Sequence, residues 1–119
     1  MRSKKIVLLI LIGALAPARA SAEQPYQGVW GANQAACRAQ DGTDRMAIKG
    51  NRFDWYETHC VTETVSQAGA RWTLKLACQG EGKKWRATTR LSMPSKGRLV
   101  LDNAPVGPTK RQTYVRCAR

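Results

Sequence analysis

Four cysteines, one histidine and a file of basic residues are the side chains through which this chain could do chemistry. Cys37, Cys60, Cys78 and Cys117 are separated by 22, 17 and 38 intervening residues. No C-x-x-C occurs, so the spacing suits neither a zinc site nor a thioredoxin-like redox pair. An even number in a chain that opens on an export signal reads instead as two disulfides. His59 stands between Thr58 and Cys60, close to Glu57. A Cys–His nucleophile needs a thiolate that an oxidised cysteine cannot supply, and no second histidine completes a metal set. His59 therefore reads as a surface residue beside a disulfide. Asp41, Asp44 and Asp102 lie near expected loops and have the character of turn residues rather than of a catalytic carboxylate pair. G-x-S-x-G, H-E-x-x-H and P-loop patterns are absent. The chain is expected to be no enzyme, with no cofactor and no metal.

The basic file lies in residues 71–92, RWTLKLACQGEGKKWRATTRLS. Every second residue is apolar or small, the period of a half-buried strand. If Trp72, Leu74 and Leu76 point inward, Arg71, Thr73 and Lys75 point outward. If Trp85, Ala87, Thr89 and Leu91 point inward, Lys84, Arg86, Thr88 and Arg90 point outward. Arg71, Lys75, Lys84, Arg86 and Arg90 then share one outer face of two hairpin-linked strands. Two readings remain open: a solvated face that also discourages edge aggregation, or a footprint for an anionic partner. Nucleic acid would want exposed aromatics to stack its bases, and parity places Trp72 and Trp85 inside.

The elements that must carry these residues belong to a small exported domain. Residues 1–22 combine Arg2, Lys4 and Lys5, an apolar run from Ile6 to Ala16 too short to span a bilayer, and Ala20-Ser21-Ala22. That is the layout of a secretory signal peptide cut after Ala22, and it places the protein in the periplasm or outside the cell. No later segment is apolar enough to be a transmembrane helix. Residues 23–119 form one domain of 97 residues, small enough to need covalent staples. Sixteen basic and eight acidic residues give it a net charge of +8.

Asn33–Gln40 reads as one short helix with Asn33 as N-cap. The rest reads as strands: Tyr26–Trp30, Arg45–Lys49, Arg52–Thr58, Val61–Gln67, Arg71–Cys78, Lys83–Ser92, Gly97–Asp102 and Arg111–Cys117. Gly50-Asn51 and Gly69-Ala70 suit type II′ hairpins. Eight short antiparallel strands in hairpin order predict an all-β meander closed into a barrel, with an open sandwich as the alternative. Phe53, Trp55, Trp72, Leu74, Leu76, Trp85, Leu91, Leu99 and Leu101 fall on the inner face.

Glu63 tests the register. A two-residue loop at Gly69-Ala70 sets Glu63 opposite Leu76 on the inner face, a costly place for a carboxylate. A three-residue loop sets it opposite Lys75 outside and brings Cys60 opposite Cys78; this second register is preferred because it removes the cost. For the disulfides the expected pairing is Cys37–Cys60 with Cys78–Cys117, tying the helix and the terminus to the sheet, with Cys60–Cys78 as the alternative. A strand count that places Cys117 at the barrel end opposite Cys78 weighs against the first.

Trp30 sits in YQGVWG and Arg116 in TYVRC. In this the chain resembles lipocalin-like and other small exported barrels, and the resemblance implies that Trp30 packs against Arg116 across the closing strands. The wider pattern has the G-x-W, a cysteine seven residues later, an aromatic strand ending in Cys60, Cys78 followed by Q-G-E-G, and a terminal R-C. It resembles small four-cysteine exported bacterial proteins of unknown function. The start also resembles exported metalloprotease inhibitors on eight-stranded barrels, which have two cysteines. The expectation is a monomeric, exported, non-enzymatic binding protein engaging an acidic protein, an anionic glycan or a lipid head group, with an inhibitor of a hydrolase as its sharpest form and the loop Asn103–Thr109 as a candidate for insertion. The alternatives are a carrier of a small apolar ligand, against which the expected filling of the lumen by Trp55, Trp72 and Trp85 weighs, and a structural or stress-related envelope protein.

Overall fold

A computed structural model describes residues 24–39 and 42–118. The expected signal peptide and Asp41 lie outside the described residues. The eight strands are β1 (Gly28–Gly31), β2 (Arg45–Lys49), β3 (Arg52–Asp54), β4 (His59–Ala68), β5 (Arg71–Gly80), β6 (Lys83–Ser95), β7 (Arg98–Asp102) and β8 (Gln112–Arg116), with the helix α1 (Gln34–Cys37) between the first two. Each strand pairs antiparallel with the next, and β8 returns to β1, so the meander closes into a barrel. The closing seam is short: Trp30 faces Arg116 and Gly31 faces Val115.

Local chemistry explains the corners. Gly50 and Gly69 take φ of +62° and +63° at the first position of two-residue loops whose second residue stays at negative φ, the type II′ arrangement that matches the twist of paired strands. The β5–β6 loop has both residues at positive φ, Glu81 at +52° and Gly82 at +78°, the I′ type. Asn33 caps α1 by accepting the Ala36 N–H at 2.8 Å. The helix stops at Cys37 rather than running toward Gln40, since only Ala36 of its single turn is buried and nothing rewards a second turn. The aromatic stretch expected as one strand to Thr58 breaks after Asp54. Trp55 N–H donates to Thr58 C=O at 2.8 Å, and this tight turn starts β4 two residues earlier than expected.

The core follows the period of two. Trp30, Met46, Phe53, Leu74, Leu76, Leu99 and Leu101 are wholly buried, with Ile48, Trp55, Trp72, Leu91, Tyr26 and Tyr114 nearly so. Each fully buried aliphatic or phenyl side chain here contributes about 1.5–3 kcal/mol of transfer free energy. Trp55 Nε1–H donates to Tyr114 Oη at 3.1 Å and Tyr114 in turn donates to Gln112 Oε1 at 2.6 Å, whereas the buried Trp72 Nε1 and Thr62 Oγ1 have no hydrogen-bond partner. One inner residue differs from expectation. Trp85 is only half-buried; it packs against the core from the rim, with Nε1–H donating to Pro105 C=O at 3.2 Å, because its strand begins beyond the end of the packed interior.

The disulfides are Cys37–Cys117 and Cys60–Cys78, which corrects the expected Cys37–Cys60 and Cys78–Cys117 and bears out the alternative for the middle pair. Cys60 and Cys78 are direct partners across β4 and β5, their Cα atoms 4.0 Å apart. Cys117 follows β8, which lies against β1 and α1, so Cys37 is the cysteine it can reach. Both registers weighed for Glu63 occur in one hairpin. From the two-residue loop, Ala68 meets Arg71 and Thr64 meets Lys75; after a bulge at Glu63, Thr62 meets Leu76 and Cys60 meets Cys78. The loop therefore has two residues, not three, and the extra residue that turns Glu63 outward lies in the strand.

Candidate binding face

On β5 and β6 the alternation turns Arg71, Lys75, Lys84, Arg86 and Arg90 to solvent, and all five are exposed. Register explains how five cations share a wall. Arg71 faces Ser92, Arg90 faces Thr73, Lys75 faces Thr88, Arg86 faces Ala77 and Lys84 faces Gln79. No cation stands directly opposite another, so the pairing that would cost most is avoided.

One of the five is neutralised. The bulge places the Glu63 carboxylate on Arg86 as a two-pronged pair, Nε to Oε1 at 3.0 Å and Nη2 to Oε2 at 3.1 Å. The hydrogen bonds from Arg86, aided by the charge of Lys75, hold the Glu63 carboxyl below its ordinary pKa. Among the described residues Arg71, Lys75, Lys84 and Arg90 have no carboxylate within ion-pair distance.

Two of the wall's depressions bear on these cations. One of about 810 Å³ runs across the outer face of β3 to β6, with Val61 and Ala77 in its floor, Arg52 and His59 on one side, and Lys84 and Arg86 on the other. Val61 is 43% exposed there, an apolar spot framed by cations. The other, about 450 Å³, includes Arg71, Arg90 and Arg111. Its Arg111 is held by Asp102 at 2.9 Å, and Asp102 also faces Arg90 across β6 and β7. Asp102 thus serves as an ion-pair partner at a strand end rather than as a turn residue.

His59 is exposed and its Nδ1 lies 2.7 Å from Asp54 Oδ1; Arg52 Nη2 lies 3.3 Å from the same oxygen. Burial of Asp54 raises its pKa, but the hydrogen bonds from His59 and Arg52 outweigh that and the net direction is down. Among the described residues no group of three or more histidine, cysteine or acidic side chains is placed to hold a metal ion. The sequence reading missed Arg52, Asp54 and Arg111 as parts of this face. The alternation on β3 that buries Phe53 would have turned Arg52 and Asp54 outward, and that signal was available.

The loop Asn103–Thr109 is pinned at its base. Ala104 N–H donates to Lys110 C=O at 2.8 Å, Gln112 Nε2 donates to Val106 C=O at 2.6 Å, and Val106 packs on the core. Only Gly107, Pro108, Thr109 and the adjoining Lys110 are fully turned to solvent beyond Asn103. At the seam, the Arg116 guanidinium lies 4.3 Å from the Trp30 ring centroid, the contact the lipocalin-like resemblance implied. Compared with protein-family models, with curated proteins and with solved structures, the chain matches none.

Proposed function

We propose that this chain is an exported, non-enzymatic binding protein whose basic outer wall takes an acidic macromolecular partner in the bacterial envelope. The observation that carries the reading is the wall itself. Among the described residues Arg71, Lys75, Lys84 and Arg90 make no ion pair; Lys84 borders the depression that Val61 and Ala77 also line, and Arg71 and Arg90 border the other. A positive field of this kind steers and holds acidic surfaces. Arg71, Lys75 and Arg90 stand where their strands are paired on both sides, so none of the three sits on a sheet edge; among the described residues the stretch of β6 that carries Lys84 pairs with β5 alone. Two disulfides fit an oxidising compartment, and no described helix is long and apolar enough to cross a membrane.

The narrower reading is an inhibitor of a hydrolase, supported by the anchored Asn103–Thr109 loop, which would present its tip with little ordering cost. The interior is occupied by Trp30, Phe53, Trp55, Trp72, Leu74 and Leu76, which favours the outside of the barrel over a carrier lumen. Trp85 is only half-buried, which removes part of the argument against nucleic acid and makes an oligonucleotide a necessary control.

The deciding experiment is a pull-down of envelope proteins with the disulfide-bonded domain at low and high salt, repeated with Lys75→Glu, Lys84→Glu and Arg90→Glu combined. An acidic partner retained at low salt, released at high salt and lost by the triple variant is the expected result. Undiminished capture by the triple variant, or equal binding of an oligonucleotide, would overturn the reading.

A further inference from the structure

β4 outruns its neighbour. The β3 ladder ends with Arg52 opposite Val61, and the last bond from that side is Thr62 N–H to Asn51 C=O at 2.7 Å. Among the described residues the strand from Glu63 to Ala68 is paired only with β5, and all six residues are exposed. The geometry of the hairpin tells which backbone groups face the open side. Ala68 and Arg71 flank a two-residue loop and so exchange hydrogen bonds with each other. Alternation then directs the N–H and C=O of Ser66 toward β5 and those of Val65 and Gln67 outward. Thr62 agrees, since its N–H points to the β3 side.

An edge of this kind is normally blunted by a lysine, a proline or an inward charge. Residues 64–70 read TVSQAGA, with no charge and no proline, and Val65 is 49% exposed. The cations that could have guarded it stand one strand inside, on β5. On the outer face Lys75 and Arg71 lie opposite Thr64 and Ala68, side chains small enough to let long basic stems lean across β4. A strand added at the edge would run about 10 Å from β5, two strand spacings, within reach of the charges of Lys75 and Arg71.

We infer that the open edge of β4 receives an extended acidic segment of a partner polypeptide as an added strand. The segment pairs with the backbone of Val65 and Gln67, turns acidic side chains to the outer face beside Lys75 and Arg71, and lays an apolar side chain against Val65. The acidity of the segment rests on the reading of the basic wall; the strand pairing does not.

The test uses the disulfide-bonded chain and three probes: an acetylated peptide alternating Glu and Val, its Lys–Val counterpart, and the Glu–Val peptide methylated at every backbone nitrogen. Amide exchange is followed by NMR. The Glu–Val peptide is expected to slow exchange at Val65 and Gln67 roughly tenfold, and the other two to leave them unchanged. Val65→Pro removes an N–H that faces the open side and cuts no bond to β5, so it should abolish the protection at Gln67. If that variant fails to fold, the methylated peptide against the unaltered chain makes the same distinction. Protection by the Glu–Val peptide that survives Val65→Pro or backbone methylation overturns the proposal, as does a peptide that protects neither amide. Equal protection by the Lys–Val peptide would retain strand pairing and refute the acidic partner. Protection that grows with protein concentration and needs no peptide would give the edge to a second copy instead and overturn the assigned occupant.

Discussion

Glu63 is where local sequence and surface electrostatics meet most directly. The bulge frees it from the inner face, and Arg86 receives it in a geometry that only a guanidinium offers. Hydrogen bonding by Arg86 lowers the pKa of the Glu63 carboxyl and raises that of Arg86; Asp54 is lowered by His59 and Arg52 against the opposing effect of its burial. A carboxyl whose folded pKa lies below its unfolded value binds fewer protons in the folded state. Its contribution to stability is complete above the ordinary carboxylate range near pH 4 and is lost as the pH falls through the lower folded value. Arg86→Gln should therefore flatten the fall in urea stability below the ordinary carboxylate range while changing the value at pH 7 little, because the pair is exposed. An acid limb identical to that of the unaltered chain would show that Arg86 does not set the Glu63 titration. The same pairing explains why Arg86 is the least available of the five basic residues for a partner.

At the scale of elements, the two disulfides tie different spans of chain. Cys60–Cys78 joins adjacent strands over a separation of 18 residues, whereas Cys37–Cys117 spans 80. Loop-closure entropy gives about 3 kcal/mol for the first and about 4.5 kcal/mol for the second. Replacing Cys37 and Cys117 by Ala should accordingly lower the urea midpoint more than replacing Cys60 and Cys78. The reverse order would mean that strain or packing, not chain entropy, dominates. Much at this level is legible in the sequence. The period of two in Arg71–Gly80 finds both the buried tryptophan and leucines and the outward cations, and Gly50 and Gly69 mark the hairpins. The cysteine pairing is legible in part: the register preferred for Glu63 sets Cys60 opposite Cys78, and a strand count separates Cys78 from Cys117, but that Cys37 and Cys117 share a rim depends on barrel closure, which spacing does not show. The bulge at Glu63 is visible only as a conflict between two registers, each half right. The open edge of β4 follows from features the sequence does show: β3 begins only at Arg52, after the Gly50-Asn51 hairpin, while β4 runs on past Val61 to Ala68.

For the whole molecule, the seam between β1 and β8 decides whether eight strands make a barrel or an open sheet. It has only two facing residue pairs, so side chains must supply the rest. Arg116 spans it: Nη1–H donates to Gln27 C=O at 2.8 Å, Nη2–H to Pro25 C=O at 2.7 Å, and the guanidinium covers the buried Trp30 ring. Gly28, at φ +135°, is what permits this approach, since a Cβ there would stand 2.7 Å from Arg116 Nη1. Cys37–Cys117 holds the same corner covalently, so loss of the arginine should loosen the seam without opening it. Arg116→Met keeps an apolar stem over Trp30 while removing the charge-assisted bonds and the cation–π contact. It should cost about 1.5–3 kcal/mol of stability by urea denaturation. The sharper effect is local: the Cys117 N–H, bonded to Val29 C=O at 2.9 Å across the seam, should exchange faster by a larger factor than the amides of β5. That selectivity follows if closure is a separate, weaker step than formation of the β4 to β7 wall. Equal acceleration at Cys117 and at Leu74 would mean that the barrel opens only by unfolding as a whole, and that Arg116 stabilises the entire fold rather than its seam.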